Sequence, residues 1–314
     1  NNMANKLPQD FLKTAKMCGL EHALDAKSHL YIEKNKIISE LEQKGVEFHS
    51  HETEDGVKAE ARIKSGTKIK EPLFFCFGIL DKEEDQFVIP NITVEDDAEV
   101  KIVAHCSFPH AQGTTHNMEA EFNIGKNAKF EYDEHHYHGN SSGAKVYPKL
   151  KLNIEEGGEF NSNFVLTQGT VGEVSIDIEG KLNKQAKATL ESKVLGKSKA
   201  DSVEIKEKIN LAGEGSKSLI KMRAAAKDGG KVYMEGDTYA SGEDAAGHVD
   251  CQEIVVGQGS TARAVPIVEV SNDKARVTHE ASVGKINQKE LETLMTRGLD
   301  EDEATELIIR SMMK

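Results

Sequence analysis

From about Val94 to Ile286 the chain alternates apolar and polar residues over short stretches, and turns rich in Gly, Asn and Asp break the stretches apart. EVKIVAHCSF, AKFEYDEHHYH, EVSIDIEGKL and KVYMEGDTYA are typical. A period of two predicts half-buried strands. Small residues just after the turns fall into two interleaved series. The first is Ala98, Ala128, Gly158, Ala186, Ser216, Ala246 and Ala275, at intervals of 30, 30, 28, 30, 30 and 29. The second is Gly113, Gly143, Gly172, Ala200, Gly230 and Ser260. A constant period of this size marks a solenoid. Each repeat reads strand–turn–strand–turn without a helical crossover. The expected fold is therefore mainly β, a parallel β-helix-like stack in which each coil hydrogen-bonds to the next.

The ends of the chain read differently. Phe11, Leu12, Ala15, Leu20, Ala23 and Leu24 recur at helical spacing, and Tyr31, Ile32, Ile37, Ile38 and Leu41 suggest a second helix stopped at Gly45. Cys18 and His22, one helical turn apart, read as ordinary helix residues. Near the C-terminus Asn287 with Glu290, and Asp300 with Glu303, are helix-start signals, and Gly298 is a stop. The expected organisation is a helical segment over 1–45, a β-solenoid core over 46–286 and a helical segment over 287–314, with both helical segments covering solenoid ends. Cys76, inside the apolar run EPLFFCFGIL, is expected in the core.

Composition narrows the function. The chain has 314 residues, 38% hydrophobic and 30% charged, with a net charge of −13. A long acidic surface repels phosphate backbones, so nucleic acid is not an expected partner. No apolar run is long enough to span a membrane. The opening NNMANKLPQDFLK has neither the basic nor the apolar region of a secretory signal. Four cysteines without a C-x-x-C fit a reducing, cytoplasmic setting. There is no Walker A loop, no G-x-G-x-x-G, no G-x-S-x-G and no H-E-x-x-H. The chain is expected not to be an enzyme, and in particular not an ATPase by itself.

Two constellations carry candidate chemistry. Cys251 and Glu280 each follow a small-residue anchor, Ala246 and Ala275, by five residues. Equal offsets predict stacked neighbours on adjacent coils, about 4.8 Å apart. A thiol and a carboxylate so placed share a metal ion well. His279 then faces the other side of its strand. The second constellation is His105 with His135, and Cys106 with His136, again at equal offsets, with Glu134 and His138 close by and His110 and His116 on the intervening loop. Imidazoles and a thiolate at stacked positions suit a transition metal.

The run from Pro266 carries P-x-x-E-V, then ARVTHEASVGKI, then L-x-x-L-x-x-R-G-L-x-x-x-E-A. With CQEIVVG before it, this run resembles the SufB/SufD family of iron–sulfur cluster assembly proteins. The resemblance implies a right-handed parallel β-helix. It implies a scaffold for transient iron–sulfur clusters, worked by a SufC-type ABC ATPase docked on the helices at 287–313. It implies pairing through the solenoid ends, here as a homodimer or with a SufB/SufD-like paralogue. It assigns the cluster to Cys251 and Glu280, the pair at work in SufB, and to His279, the contributor in SufD. A sulfur donor and recipient apo-proteins are implied without being named, and the flavin of some complexes finds no recognisable site. Two other readings compete. One is an adaptor that regulates an ABC ATPase without binding metal. The other is a β-helix carbohydrate-active enzyme, which the lack of Trp and an aromatic content of 5% oppose.

Overall fold

The structure is a computed structural model that describes residues 26–140 and 143–313, together with Gln9, Leu12, Ala15 and Lys16. Its body is a β-solenoid of two facing sheets. From β5 (Val57–Ile63) and β6 (Leu73–Gly78) onward, successive strands alternate between the sheets. One sheet gains β8 (Glu99–Phe108), β10 (Lys129–His138), β12 (Glu159–Gln168), β14 (Lys187–Gly196), β16 (Lys217–Lys227), β18 (Ala246–Val256) and β20 (Arg276–Lys285). The other gains β7 (Asp85–Val94), β9 (Gln112–Ile124), β11 (Gly143–Ile154), β13 (Gly172–Leu182), β15 (Ser202–Leu211), β17 (Lys231–Ala240) and β19 (Thr261–Val270). Every pairing within these two series is parallel.

The corners explain the period. Asp97, Asn127, Gly157, Gln185, Gly215 and Asp244 all have positive φ, between 52° and 69°. Asn, Asp and Gly tolerate that conformation best, which is why they recur at these turns. The amides of the first five of these corners bond to the next coil, as in Asp97 N to Lys126 O at 2.8 Å and Asn127 N to Glu156 O at 3.0 Å. The hydrogen-bond ladder therefore runs through the turns, leaving few buried backbone groups to satisfy elsewhere. Inside, alternate residues stack coil on coil. Phe122, Phe130 and Phe160 lie with ring centroids 5.4–6.1 Å apart. Burying each such ring is worth about 2–3 kcal/mol.

The N-terminal reading needs correction. Tyr31, Ile32, Ile37, Ile38 and Leu41 form no helix; they lie on the antiparallel strands β1 (His29–Glu33) and β2 (Lys36–Leu41). The physical reason is parity. Leu30 and Ile32 enter the core while Tyr31 packs outside, and β1 extends the sheet by pairing with β6. β3 (Val46–Phe48) and β4 (His51–Glu52) pair antiparallel with β5 in the other sheet. The four described residues before them are helical, and Leu12 and Ala15 pack on Tyr31 and Cys76. Cys76 thus faces the outside of the sheet under that cover. Cys18 and His22 lie outside the described residues.

The C-terminal expectation holds for the elements. α1 (Gln288–Met295) is capped by Asn287, and α2 (Glu301–Met312) by a reciprocal Asp300–Glu303 capping box. Their apolar faces pack on the outer flank of the solenoid, Leu291 and Ile308 near Ile254, and Ile309 near Leu195, Ala225 and Val256. Asp300 accepts the Glu303 amide at 2.8 Å. Asp300→Ala should therefore cost about 1 kcal/mol. Urea unfolding, with faster amide exchange confined to the first turn of α2, checks this.

Candidate functional site

The last two coils decide what Cys251 can touch. The strands β18 and β20 pair with Cys251 opposite Ala281, Asp250 opposite Glu280 and Val249 opposite His279. In parallel strands, paired residues face the same side and neighbours alternate. Cys251 points into the solenoid, 1% exposed, with Sγ 3.8 Å from Met222 Sδ. Glu280 shares the outward side with Asp250 and is exposed. The expected stacking of Cys251 on Glu280 is therefore absent, and the cause is a single residue. Each coil's small residue donates its amide to the carbonyl three residues back: Ala98 to Glu95, Ala128 to Gly125, Ala186 to Asn183, Ala275 to Asn272. In the sixth coil Ala245, bonded to Gly242, makes that contact, not Ala246. The tandem alanines hide the register, and the shift by one turns the pair to opposite faces. The same shift gives His279 the inward parity of Cys251. β20 and β19 are the final strands of their sheets, and Ile267, Val270 and Val283 on them are 38–49% exposed.

The interior beside Cys251 is acidic. The Cys251 thiol is pushed up to about 12, first by burial and then by the carboxylates of Glu253, Glu207 and Asp250, with Arg223 opposing. Arg223 is held on the flank by Asp250, Nη2 to Oδ2 at 2.5 Å. Glu253 is 1% exposed, both its oxygens meet no hydrogen-bond partner, and burial pushes its carboxyl up to about 7. Glu207, from the facing sheet, is also raised to about 7 by burial, against a hydrogen bond donated by the Ser192 hydroxyl. Sequence reasoning missed Glu207 and Ser192, and registered Glu253 only as a break in the apolar alternation around Cys251 that left the direction of the thiol open. The available signal was their parity: each sits where an apolar residue belongs.

Glu207 gives a pH dependence of known sign. Its folded carboxyl titrates near 7 and its unfolded one near 4.5, so the unfolded chain sheds the proton first as pH rises. Stability is lost between those values, by about 3 kcal/mol in all. Glu207→Gln, which mimics the protonated form and keeps the acceptor for Ser192, should flatten this fall. Urea midpoints between pH 4.5 and 8 measure it, and an unchanged slope in the variant would assign the loss to other groups.

The second constellation is in register as expected, His105 opposite His135 and Cys106 opposite His136. Parity splits it. His105 and His135 face outward, their ring centroids 5.6 Å apart. Cys106, His136 and His138 face inward, and Glu134 joins them. Glu134 Oε1 is 2.6 Å from His136 Nε2 and 3.8 Å from Cys106 Sγ. The Cys106 thiol is held well above its usual range, by burial first and the Glu134 charge second. His138 and His116 are both lowered to about 3 by burial, so their rings are neutral. The structure thus separates His105 and His135 from the set and keeps Glu134 in it, while His116, expected on a loop, stands on the facing strand β9.

The family described as SUF system FeS cluster assembly, SufBD core domain, matches residues 79–312. The chain belongs to the SufBD family. An iron–sulfur cluster assembly SufBD family protein of Methanocaldococcus jannaschii is 39% identical over 284 residues, covering 90% of this chain and 89% of the relative. One of Pyrococcus horikoshii is 36% identical over 284 residues, covering 90% and 86%. The iron–sulfur cluster assembly protein SufB of Bacillus subtilis is 26% identical over 259 residues, 80% of this chain and 54% of that protein.

The SufBD core match runs through both C-terminal helices, whose packing ties them to the Cys251 strand. Ile254 and Val256, three and five residues after Cys251, lie under α1 and α2. Lys227, at the end of β16, reaches Asp302 and Glu306 of α2 at 3.5 and 3.7 Å. Met295 and Leu307 remain 40% and 46% exposed on the helices. Among the described residues no helix is long and apolar enough to cross a membrane.

Proposed function

We propose that this SufBD protein is a cytoplasmic scaffold subunit on which nascent iron–sulfur clusters are built, with no catalytic chemistry of its own, and that Cys251, His279 and Glu280 hold the cluster at the open end of the solenoid. The supporting observation is that end. Among the described residues β19 and β20 are the last strands of their sheets and expose apolar side chains together, and His279 and Glu280 stand on the edge strand itself. An uncovered solenoid end recruits another chain. A second copy, or a paralogue of the same family, laid end to end would bring two sets of ligands together. One cysteine, one histidine and one glutamate per chain suit a cluster that is shared and released.

Cys251 lies one strand below the edge and is buried, so loading requires the last coil to move. The helices give a route for that. A SufC-type ABC ATPase docked on the exposed faces of α1 and α2 pulls on a surface packed directly against Ile254 and Val256. The iron and sulfide are cargo, so the thiol proton leaves when iron arrives and its positive charge favours the thiolate. The sulfur donor and the recipient apo-proteins meet the same end.

A second reading, an adaptor that regulates the ATPase and binds no metal, draws support from the burial of Cys251 and its separation from Glu280. Anaerobic reconstitution with iron and sulfide separates them. The scaffold reading expects a cluster absorption in the wild type, enhanced with the ATPase and nucleotide, and lost or weakened in Cys251→Ala, His279→Ala and Glu280→Ala. Iron binding unchanged in all three variants rejects the scaffold site.

A further inference from the structure

We propose that the solenoid interior contains a second, separate metal site, in which Cys106, Glu134 and His136 bind one borderline divalent transition-metal ion such as Zn²⁺ or Fe²⁺. The ligand atoms of these three buried side chains lie within 4.8 Å of one another. Cys106 and His136 are partners on adjacent strands, and Glu134 shares their inward face two residues before His136. Five strand spacings along the sheet separate β8 from β18, so the site stands about 24 Å from Cys251.

The histidines supply the second observation. His138 Nδ1 donates to the Val171 carbonyl at 2.9 Å, which leaves Nε2 a bare lone pair, buried and without a partner. For His116 the tautomer is fixed at one remove. The Gln86 amide nitrogen donates to the carbonyls of Lys34 and Gly78 at 2.5 and 3.3 Å, so its oxygen turns to His116 and accepts Nδ1–H at 2.8 Å. His116 Nε2 is then also bare, buried and unpartnered, and so is His136 Nδ1. His116, His136 and His138 are 1%, 5% and 1% exposed, and the Phe108 ring contacts all three, at 5.2, 6.2 and 5.3 Å. An imidazole with one nitrogen tied to a carbonyl or amide oxygen and a free lone pair on the other is how proteins orient a metal ligand. A core that only needed filling would carry leucine here.

The donor set selects the ion. One thiolate, one carboxylate and imidazole nitrogen suit borderline divalent metals better than Mg²⁺ or Ca²⁺. Charge agrees. A dication with a thiolate and a carboxylate is neutral, which a low-dielectric interior tolerates, whereas the two anions alone are costly there. Binding replaces the thiol proton, which passes to solvent, and takes over the contact between Glu134 and His136. His138 and His116 flank the ion. A cavity of about 40 Å³, lined by Tyr132, Glu134, Asn163 and Ser192 among others, lies beside the carboxylate, with room for a single ion.

Co²⁺ is the probe, because a cobalt–thiolate bond gives a charge-transfer band in the near ultraviolet. The full chain with Cys18, Cys76 and Cys251 all changed to Ala keeps Cys106 as its sole thiol and leaves the proposed ligands intact. It should bind one Co²⁺ per chain with that band, release it to Zn²⁺, and melt at a higher temperature with metal than without. Adding Cys106→Ala removes the band, and His136→Gln weakens binding by about 100-fold or more. No band in the variant whose only thiol is Cys106, or a band surviving Cys106→Ala, overturns the site. The interior site stands independently of the scaffold reading. Loss of cluster reconstitution in Cys251→Ala with the cobalt band retained would uphold both.

Discussion

Cys251→Ala is expected to reduce the cluster absorption of the reconstituted protein to background, a larger loss than His279→Ala or Glu280→Ala. Iron in such clusters is held chiefly by thiolates, and among the described residues the other cysteines are remote from the open end. Cys76 lies outside the sheet near the N-terminus, and Cys106 lies five strand spacings away. In the proposed site the carboxylate and imidazole at the edge complete a coordination sphere that Cys251 anchors, so each of their deletions should leave a weaker, more labile species. The fold should survive all three changes. Ala fits where the thiol sat, and the substitution removes one sulfur–sulfur approach to Met222 at 3.8 Å, worth on the order of 1 kcal/mol. Matching circular dichroism and melting curves separate loss of ligand from loss of structure. Full cluster yield in Cys251→Ala, with loss in Cys106→Ala, would move the assembly site into the interior.

The geometry also orders the two edge residues. His279 has the inward parity of Cys251 and Glu280 does not, so within one chain it is the histidine that shares the face of the thiol. In the proposed scaffold Glu280 serves a cluster shared across an end-to-end pair, where its outward side is no handicap. Glu280→Ala should therefore lower yield most in the assembled pair with its ATPase, and His279→Ala in the isolated chain as well.

Much of this was legible in the sequence because the solenoid repeats one steric problem. Every coil must turn through a left-handed corner, so Asp97, Asn127, Gly157, Gly215 and Asp244 stand at near-regular intervals and announce the period. What failed was resolution to a single residue. Ala245 and Ala246 are equally small, only one donates back to Gly242, and choosing the other reversed the faces of Cys251 and Glu280 relative to each other. Periodicity of small residues fixes the rung; only the hydrogen-bond pattern fixes the register. The hairpin of β1 and β2 was lost for a related reason. Tyr31, Ile32, Ile37 and Ile38 satisfy helical spacing as pairs, yet β-branched residues on either side of a turn at Lys34, with φ of 52°, pair more readily as strands. Glu207 was missed, and Glu253 was visible only as a break, because an acidic residue at an inward position looks like a break in the pattern until the neighbouring coil is in place.

Gly169→Ala is expected to destabilise the protein by more than about 3 kcal/mol, and Gly66→Ala by only about 1 kcal/mol. Both glycines have left-handed backbones, with φ of +79° and +68°. The conformational penalty of a Cβ is therefore shared. Surroundings divide them. At Gly66 an added Cβ meets nothing within 4 Å, whereas at Gly169 it falls 1.6 Å from the carbonyl oxygen of His138, a backbone atom that no rotamer change can move. The coil must shift to admit it. Relief by moving the 169 corner outward carries Val171 with it, and the Val171 carbonyl is what fixes the His138 ring. The substitution thus reaches the interior histidines without touching any of them. Urea unfolding of the two variants measures the difference. A cobalt titration of Gly169→Ala under conditions where it is still folded should show weakened binding, while Gly66→Ala binds as the wild type. Equal destabilisation by the two substitutions would mean that the corner at Gly169 has slack that the close approach to His138 denies.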